Sequence, residues 1–253
     1  MKKFAFGALG LVAALAASAT ANAADLAARP YTKAPPMEVA AYNWSGFYLG
    51  VNGGGGWTRS CWDILVPGGA VAPEGCNNVS GGTVGGQIGY RWQAASWVFG
   101  LEAQGNWADF TGSRVSDQFI LVPGDATQRT SVRGFGLFTG QVGYTWNNVL
   151  LYVKGGAAVT DNRYEHRVVA TGAVFDSASD TRWGGVAGVG LEYGFTPNWS
   201  VAVEYDHLFM GDHTLTLTNA AGLASTVDRI RQDVDVATVR LNYRWGGPVV
   251  ARY

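Results

Sequence analysis

The side chains of Ala237–Trp245 change sides at every step. Ala237, Val239, Leu241, Tyr243 and Trp245 fall on one parity; Thr238, Arg240, Asn242 and Arg244 fall on the other. Strict alternation describes a strand with one apolar and one polar face. The pattern recurs. Trp97, Phe99, Leu101, Ala103 and Trp107 share a parity, against Glu102, Gln104 and Asn106. From Trp199 to Phe209 the odd positions read Trp, Val, Val, Tyr, His, Phe, and the even ones include Ser200, Glu204 and Asp206. Eight such segments can be marked, near residues 46–57, 82–92, 96–110, 130–146, 149–162, 181–195, 199–210 and 232–245. Each is near or above the ~9–11 residues that a tilted membrane strand needs. All eight prolines, Pro30, Pro35, Pro36, Pro67, Pro73, Pro123, Pro197 and Pro248, lie outside these spans. Proline has no N–H for a sheet ladder, so its avoidance supports the boundaries.

The connections alternate in length. Gln93–Ala95, Asn147-Asn148 and Thr196–Asn198 read as tight turns, whereas 58–81, 111–129, 163–180 and 211–231 read as long polar or glycine-rich loops. Short turns at one end and long loops at the other are the pattern of an outer-membrane barrel. The fold expected is therefore all-β: an eight-stranded, antiparallel, up-and-down transmembrane β-barrel. "GQIGYRW" (Gly86–Trp92) and "GQVGYTW" (Gly140–Trp146), 54 residues apart, mark the same point in successive hairpins, where a strand descends to a tight turn. Tyr90, Trp92, Tyr144, Trp146, Tyr193, Phe195, Tyr243 and Trp245 then share the outward parity, and Trp97 and Trp199 join them from the ascending strands. These ten are expected to form the aromatic girdle at the inner membrane–water boundary, with Trp57, Trp107, Trp183 and Phe209 as the outer one. A soluble sandwich would bury these rings in a core and gives no reason for loops to alternate in length.

The chain opens MKKFAFGALGLVAALAASATANA. Two lysines, an apolar run from Phe4 to Ala17 and the small-x-small site Ala21-Asn22-Ala23 form a secretory signal peptide over 1–23. Residues 24–42, with three prolines, read as a periplasmic linker, 43–245 as the barrel, and 246–253 as a C-terminal tail. Loss of the two leader lysines takes the formal net charge from −1 to −3, which is no footprint for nucleic acid. Charged residues make up only 15% and aromatics 13%, with 36 glycines. A soluble domain surface is normally about a quarter or more charged, so something apolar covers part of this one.

The two cysteines, Cys61 and Cys76, are expected to form a disulfide once exported. On the inward parity, Glu102 and Lys154 lie five residues above their turns, at Trp97 and Val149, and Glu204 five above Trp199, while Arg240 lies five before Trp245. The four are expected at one height as a lumen ion-pair plug, with Glu192 and Arg244 as a second pair nearer the mouth, because a narrow lumen disfavours unpaired charge. The glycine runs Gly53–Gly56 and Gly188–Gly194 sit within strands, not ahead of a helix, so they are not phosphate loops. His166, His207 and His213, with Glu165, Asp206 or Asp212 nearby, are the residues that a hydrolase or a heme or metal site would recruit, yet no Ser-His-acid spacing stands out. Three Asn-X-Ser triplets, at Asn43, Asn78 and Asn198, read as coincidences.

The leader, "ADLAARPYTKAPP" (Ala24–Pro36) and "NWSGFYLGVNGGGGW" (Asn43–Trp57) resemble the small porin-like outer-membrane β-barrel proteins of alphaproteobacteria, as do the strand ends "GQIGYRW" and "VRLNYRW". Some members are named outer-membrane immunogenic or hemin-binding proteins. The resemblance covers the whole mature chain and implies an eight-stranded barrel related to the membrane half of the OmpA type, with no catalytic motif. One departure is "GGPVVARY" after Trp245, which leaves Trp245 and Tyr253 as alternative aromatic signals for the barrel-assembly machinery. No globular peptidoglycan-binding domain is expected after the barrel. The function expected is a structural, porin-like role in the cell outer membrane, without catalytic residues, metal or cofactor. The alternatives are a narrow solute or ion channel, a barrel enzyme acting on envelope lipid, and a heme-binding surface protein. The partners expected are outer-membrane lipid and lipopolysaccharide, the assembly machinery, and a host or surface ligand at the external loops.

Overall fold

Eight antiparallel strands run up and down and close into one ring in the computed structural model, which describes residues 42–65, 71–115, 126–219 and 221–245. The strands are β1 (Gly46–Leu65), β2 (Val71–Ala94), β3 (Trp97–Val115), β4 (Ala126–Trp146), β5 (Val149–Val168), β6 (Val174–Gly194), β7 (Trp199–Asn219) and β8 (Ala224–Trp245). Each pairs with its neighbours in sequence, and β1 closes on β8 from Phe47↔Trp245 to Ile64↔Asp228. The leader 1–23, the linker as far as residue 41, the tail 246–253, Pro67 and Pro123 lie outside the described residues.

The apolar parity faces out. Leu49, Ile88, Leu101, Val153, Leu191 and Val239 are exposed, while Lys154, Glu192, Glu204 and Arg240 are buried. That inversion of a soluble core suits a barrel surrounded by lipid. The turns at one end are tight. β2 runs on through Ala94, so the first turn is Ala95-Ser96 rather than Gln93–Ala95. Ala95 and Asn147 each open a two-residue turn at positive φ, the backbone sense that matches strand twist in hairpins.

The far end differs from the expected long loops. All eight strands continue beyond the membrane as paired hairpins, and the described connections 169–173 and 221–223 are short. Polar residues on both faces disfavour a strand in lipid but not in water, where the ladder needs no apolar surround. The alternation was present in Thr214-Leu-Thr-Leu-Thr218, whose Leu217 points inward. This β-ridge has a core of its own, in which Trp62, Tyr164, Leu217 and Ile230 pack together, Trp62 edge-on to Tyr164 at 5.5 Å. Pro73, expected in a loop, lies in β2 opposite Asp63, where the register shifts. Proline is tolerated at such an irregularity because the ladder is already broken.

The wall is interrupted once over a long stretch. The β6–β7 ladder stops at Gly185↔Phe209 and resumes only at Ser177↔Thr218. At that level β7 bulges against β8 between Phe209 and Asp212, with Gly211 at φ 66°. A bulge adds local twist and turns β7 away from β6. His213 Nδ1 and Asp180 Oδ2 bridge the interruption at 2.7 Å.

Cys61 and Cys76 are bonded, and they face each other directly in the β1–β2 register of the ridge, not in an irregular loop. A sequence separation of 15 corresponds to roughly 3 kcal/mol by the chain-entropy estimate. Fifteen register pairs hold the hairpin below the bond, from Gly46↔Arg91 to Ser60↔Asn77. Reduction is therefore expected to raise protease cleavage above Cys61 and leave the heat-modifiable gel shift of the barrel unchanged. Loss of that gel shift on reduction alone would show that the bond supports the barrel itself.

Candidate functional site

Within the membrane-spanning part of the barrel, the lumen gathers charged side chains out of water, and it is filled in layers. The periplasmic mouth is capped by the segment before β1. Trp44 is buried, its Nε1 donates to Thr145 Oγ1 at 2.8 Å, and its backbone N–H donates to Gln93 Oε1 at 2.9 Å. Tyr42 packs beside it at 4.5 Å, with the Arg244 guanidinium 4.4 Å from the Tyr42 ring centroid. Tyr42, assigned to the linker, and Trp44 are thus a plug, packed on Val98, Leu150 and Tyr152. The two heptads differ inwardly at one letter, and that letter matters here. Thr145 holds the plug indole, whereas Arg91 enters an ion pair.

Arg91 Nη1 meets Glu192 Oε2 at 2.8 Å, and its Nε and Nη2 donate to Gln141 Oε1. The guanidinium lies 4.6 Å from the Tyr48 ring centroid and 5.3 Å from that of Tyr152. Glu192 also accepts from Ser200 Oγ and Asn242 Nδ2. The expected Glu192–Arg244 pair does not form. Arg244 lies over Tyr42 and donates to the Pro197 carbonyl at 2.9 Å. The Tyr42 ring packs on the Arg244 guanidinium, a contact that sequence spacing could not show.

One layer further up, Glu102, Lys154, Glu204 and Arg240 meet. Arg240 donates to Glu102 through Nη2 and to Glu204 through Nη1. Lys154 Nζ lies 2.6 Å from Glu204 Oε1 and 3.8 Å from Glu102 Oε1. Three participants were not anticipated. Asp206 Oδ2 takes a second bond from Lys154 at 3.0 Å. Tyr48 and Tyr152 donate to Glu102 and Glu204, each at 2.6 Å. Asp206 could have been found, because it shares the parity of Glu204 two residues away. The tyrosines carried no such signal. A phenol pointing inward reads from sequence as core. Tyr152 reaches the cluster because its ring lies against Gly190, where a Cβ would stand 2.2 Å from Tyr152 Cζ.

Above the ions comes an uncharged network. Gln87 Nε2 donates to Asn242 Oδ1, Asn52 Nδ2 to Gln87 Oε1, and Asn106 Nδ2 to Asn52 Oδ1 and Thr83 Oγ1. The next layer is apolar. Phe110, Phe135, Leu137, Leu208, Val234 and Val236 form its centre, and Phe110 and Phe135 stack at 6.3 Å. The interior of an eight-stranded barrel is just wide enough for side chains to fill, and here they do.

The outward aromatics form two bands. Tyr90, Trp92, Trp97, Tyr144, Trp146, Tyr193, Phe195, Trp199 and Trp245 are exposed at the turn end, and Tyr243 lies among them, edge-on to Trp199 and Trp245 at 5.0 and 5.1 Å. Trp57, Trp107, Trp183 and Phe209 are exposed at the other boundary. The histidines find carboxylates, but not those nearest in sequence. His166 pairs with Asp176 at 2.8 Å, His207 with Asp235 at 2.6 Å and His213 with Asp180 at 2.7 Å. Glu165 and Asp212 instead take arginines in the ridge. Strand register selects these partners, and adjacent residues on a strand face opposite ways. Among the described residues, no group of three or more His, Cys, Asp or Glu is placed to hold a metal ion.

The sequence profile of the outer membrane protein beta-barrel domain matches residues 8–245. The 31 kDa outer-membrane immunogenic proteins of Brucella melitensis biotype 1 and Brucella suis biovar 1 are each 28% identical to this chain over 246 residues, covering 94% of it and 98% of their own length. Among solved structures, the outer membrane protease OmpT from Escherichia coli matches with a TM-score of 0.52 at 10% identity, over 79% of this chain and 97% of that one. At that identity the likeness is one of fold.

Proposed function

Because this chain belongs to the outer membrane protein beta-barrel domain family and is a protein of the cell outer membrane, we propose that it is a non-conducting structural barrel. Its task is to hold a rigid β-ridge above the outer leaflet as a contact surface for host or environmental ligands. The observation that carries this reading is the filled lumen, with plug, ion cluster, amide network and apolar layer in series. An ion on the axis would have to break a buried ion pair and then cross a mainly apolar layer, and each step is costly. The name of the Brucella relatives, immunogenic proteins of the outer membrane, suits a chain whose ridge is presented outside.

The same reading makes the protein non-enzymatic. The three His–Asp pairs occupy three different settings. That of His166 is sealed inside the ridge, that of His207 is on the outward face beside Phe209, and that of His213 bridges the β6–β7 interruption. No two of them share a carboxylate. The test is conductance. Protein refolded into planar bilayers, with folding checked by the heat-modifiable gel shift, is expected to give no stepwise current at neutral pH. Reproducible ohmic single-channel steps from the unmodified protein would replace this reading with that of a narrow channel.

A further inference from the structure

Above the outer aromatic girdle, arginines gather on one pair of neighbouring strands. The outward face of β4 and β5 holds Arg129, Arg133, Arg163 and Arg167 against only two carboxylates, Asp161 and Glu165. Arg133 is paired with Asp161 at 2.9 Å. Arg163 and Arg167 share Glu165, at 2.7 and 2.6 Å, and Arg129 stands opposite that same acid across the strand pair. One carboxylate therefore holds two guanidinium groups, with a third arginine opposite it in the register. Burial pushes the Glu165 carboxyl up, but hydrogen bonds from Arg167 and Arg163 outweigh it and hold the group below its ordinary range. It stays charged and holds both Arg163 and Arg167. On the opposite side, β7, β8 and β1, the arginines Arg59, Arg229 and Arg231 stand with Asp63 and Asp212 above the girdle and with Asp233 and Asp235 level with Phe209 and Trp57.

The height of the basic face follows from the register. Trp183 of the outer girdle pairs with Val159, and Arg163 and Arg167 lie four and eight residues further along β5. At a rise of about 3.3 Å per residue and a tilt of about 40°, they stand roughly 10 and 20 Å above the girdle. That is the zone of the outer-leaflet headgroups. In an outer membrane those headgroups are phosphorylated sugars. Guanidinium groups bind phosphate oxygens in a bidentate fork, and Arg163 and Arg167 are partly exposed with donors to spare. One arginine suffices to neutralise Glu165, so its pairing does not account for the second.

We propose that the outward face of β4 and β5 is a lipopolysaccharide site, in which Arg129, Arg163 and Arg167 bind headgroup phosphates. The inference requires only that the barrel sit in the outer leaflet, so it stands or falls apart from the closed-lumen reading. The test is thermal protection of the full-length protein in detergent, read as the midpoint of the heat-modifiable gel shift. The probes are bisphosphorylated lipid A, lipid A stripped of both phosphates, and inorganic phosphate. Bisphosphorylated lipid A is expected to raise the midpoint of the unmodified protein and of an R59Q/R229Q variant on the opposite side. The R129Q/R163Q/R167Q variant is expected to need at least about tenfold more lipid for half-maximal protection, since each lost charge-assisted bond weakens binding severalfold. If the triple variant fails to fold, R163Q alone, at a partly exposed position, is expected to shift the curve about threefold. Equal half-saturation for the unmodified protein and a folded arginine variant overturns the proposal. So does equal protection by phosphate-free lipid A or by inorganic phosphate.

Discussion

Replacing Arg240 with methionine is expected to destabilise the barrel by about 3–5 kcal/mol, the usual cost of removing one partner of a buried ion pair. Arg240 is fully buried and is held by Glu102 and Glu204 together. The two acids are not equally dependent on it. Glu204 keeps Lys154 at 2.6 Å and the Tyr152 hydroxyl at 2.6 Å. Glu102 keeps the Tyr48 hydroxyl, but its distance to Lys154 is 3.8 Å. The charge stranded by Arg240→Met is therefore chiefly that of Glu102. A Glu102→Gln change should recover more of the lost stability than Glu204→Gln does. The measurement is a pair of double-mutant cycles read by urea unfolding in lipid vesicles. Strict additivity in both cycles would mean that the groups are separately hydrated and that no ion-pair plug exists.

Gly190→Ala is expected to be strongly destabilising. A Cβ at that position would stand 2.2 Å from Tyr152 Cζ and 2.4 Å from its hydroxyl oxygen. The backbone there is ordinary strand, so the side chain that must leave is the tyrosine. Tyr152 would take its hydrogen bond away from Glu204 and its ring away from Arg91. Overpacking costs typically about 1–3 kcal/mol, and a lost hydrogen bond to a charged group about 1.5–3 kcal/mol. The sum, about 2.5–6 kcal/mol, should appear in the same unfolding assay. Tyr152→Ala in the Gly190→Ala background should be far less harmful than the two single changes added together. If Gly190→Ala leaves stability within error of the unmodified protein, the packing of Tyr152 on Gly190 does not support the cluster.

Parity was legible because a strand turns its side chains through two faces, whatever surrounds it. Glu102, Lys154, Glu204 and Arg240 were placed on the inward side, and at one level, by counting from the tight turns. The count works because neighbouring strands start from turns at a common height. The same count put Glu192 with Arg244, and Glu192 instead pairs with Arg91. Both arginines are inward and near the mouth. The choice between them depends on Tyr42, which comes from outside the strand pattern and covers Arg244.

The ridge was misjudged for a related reason. Segments such as 211–231 are mostly polar on the outward face, and in lipid that excludes a strand. They are strands because they stand in water and because Trp62, Tyr164, Leu217 and Ile230 meet inside. Those four residues come from β1, β5, β7 and β8, so no local window contains them.

The sequence by itself therefore determined the number of strands, the tight turns, the face each side chain takes and the aromatic bands, since all of these follow from period two along a single strand. Only the tertiary structure decided which charges pair across the lumen, that Trp44 plugs the mouth, that β6 and β7 part above the girdle, and that four arginines gather on one side of the ridge. These depend on how the closed ring staggers its strands, and stagger is a property of the whole ring that no strand encodes alone.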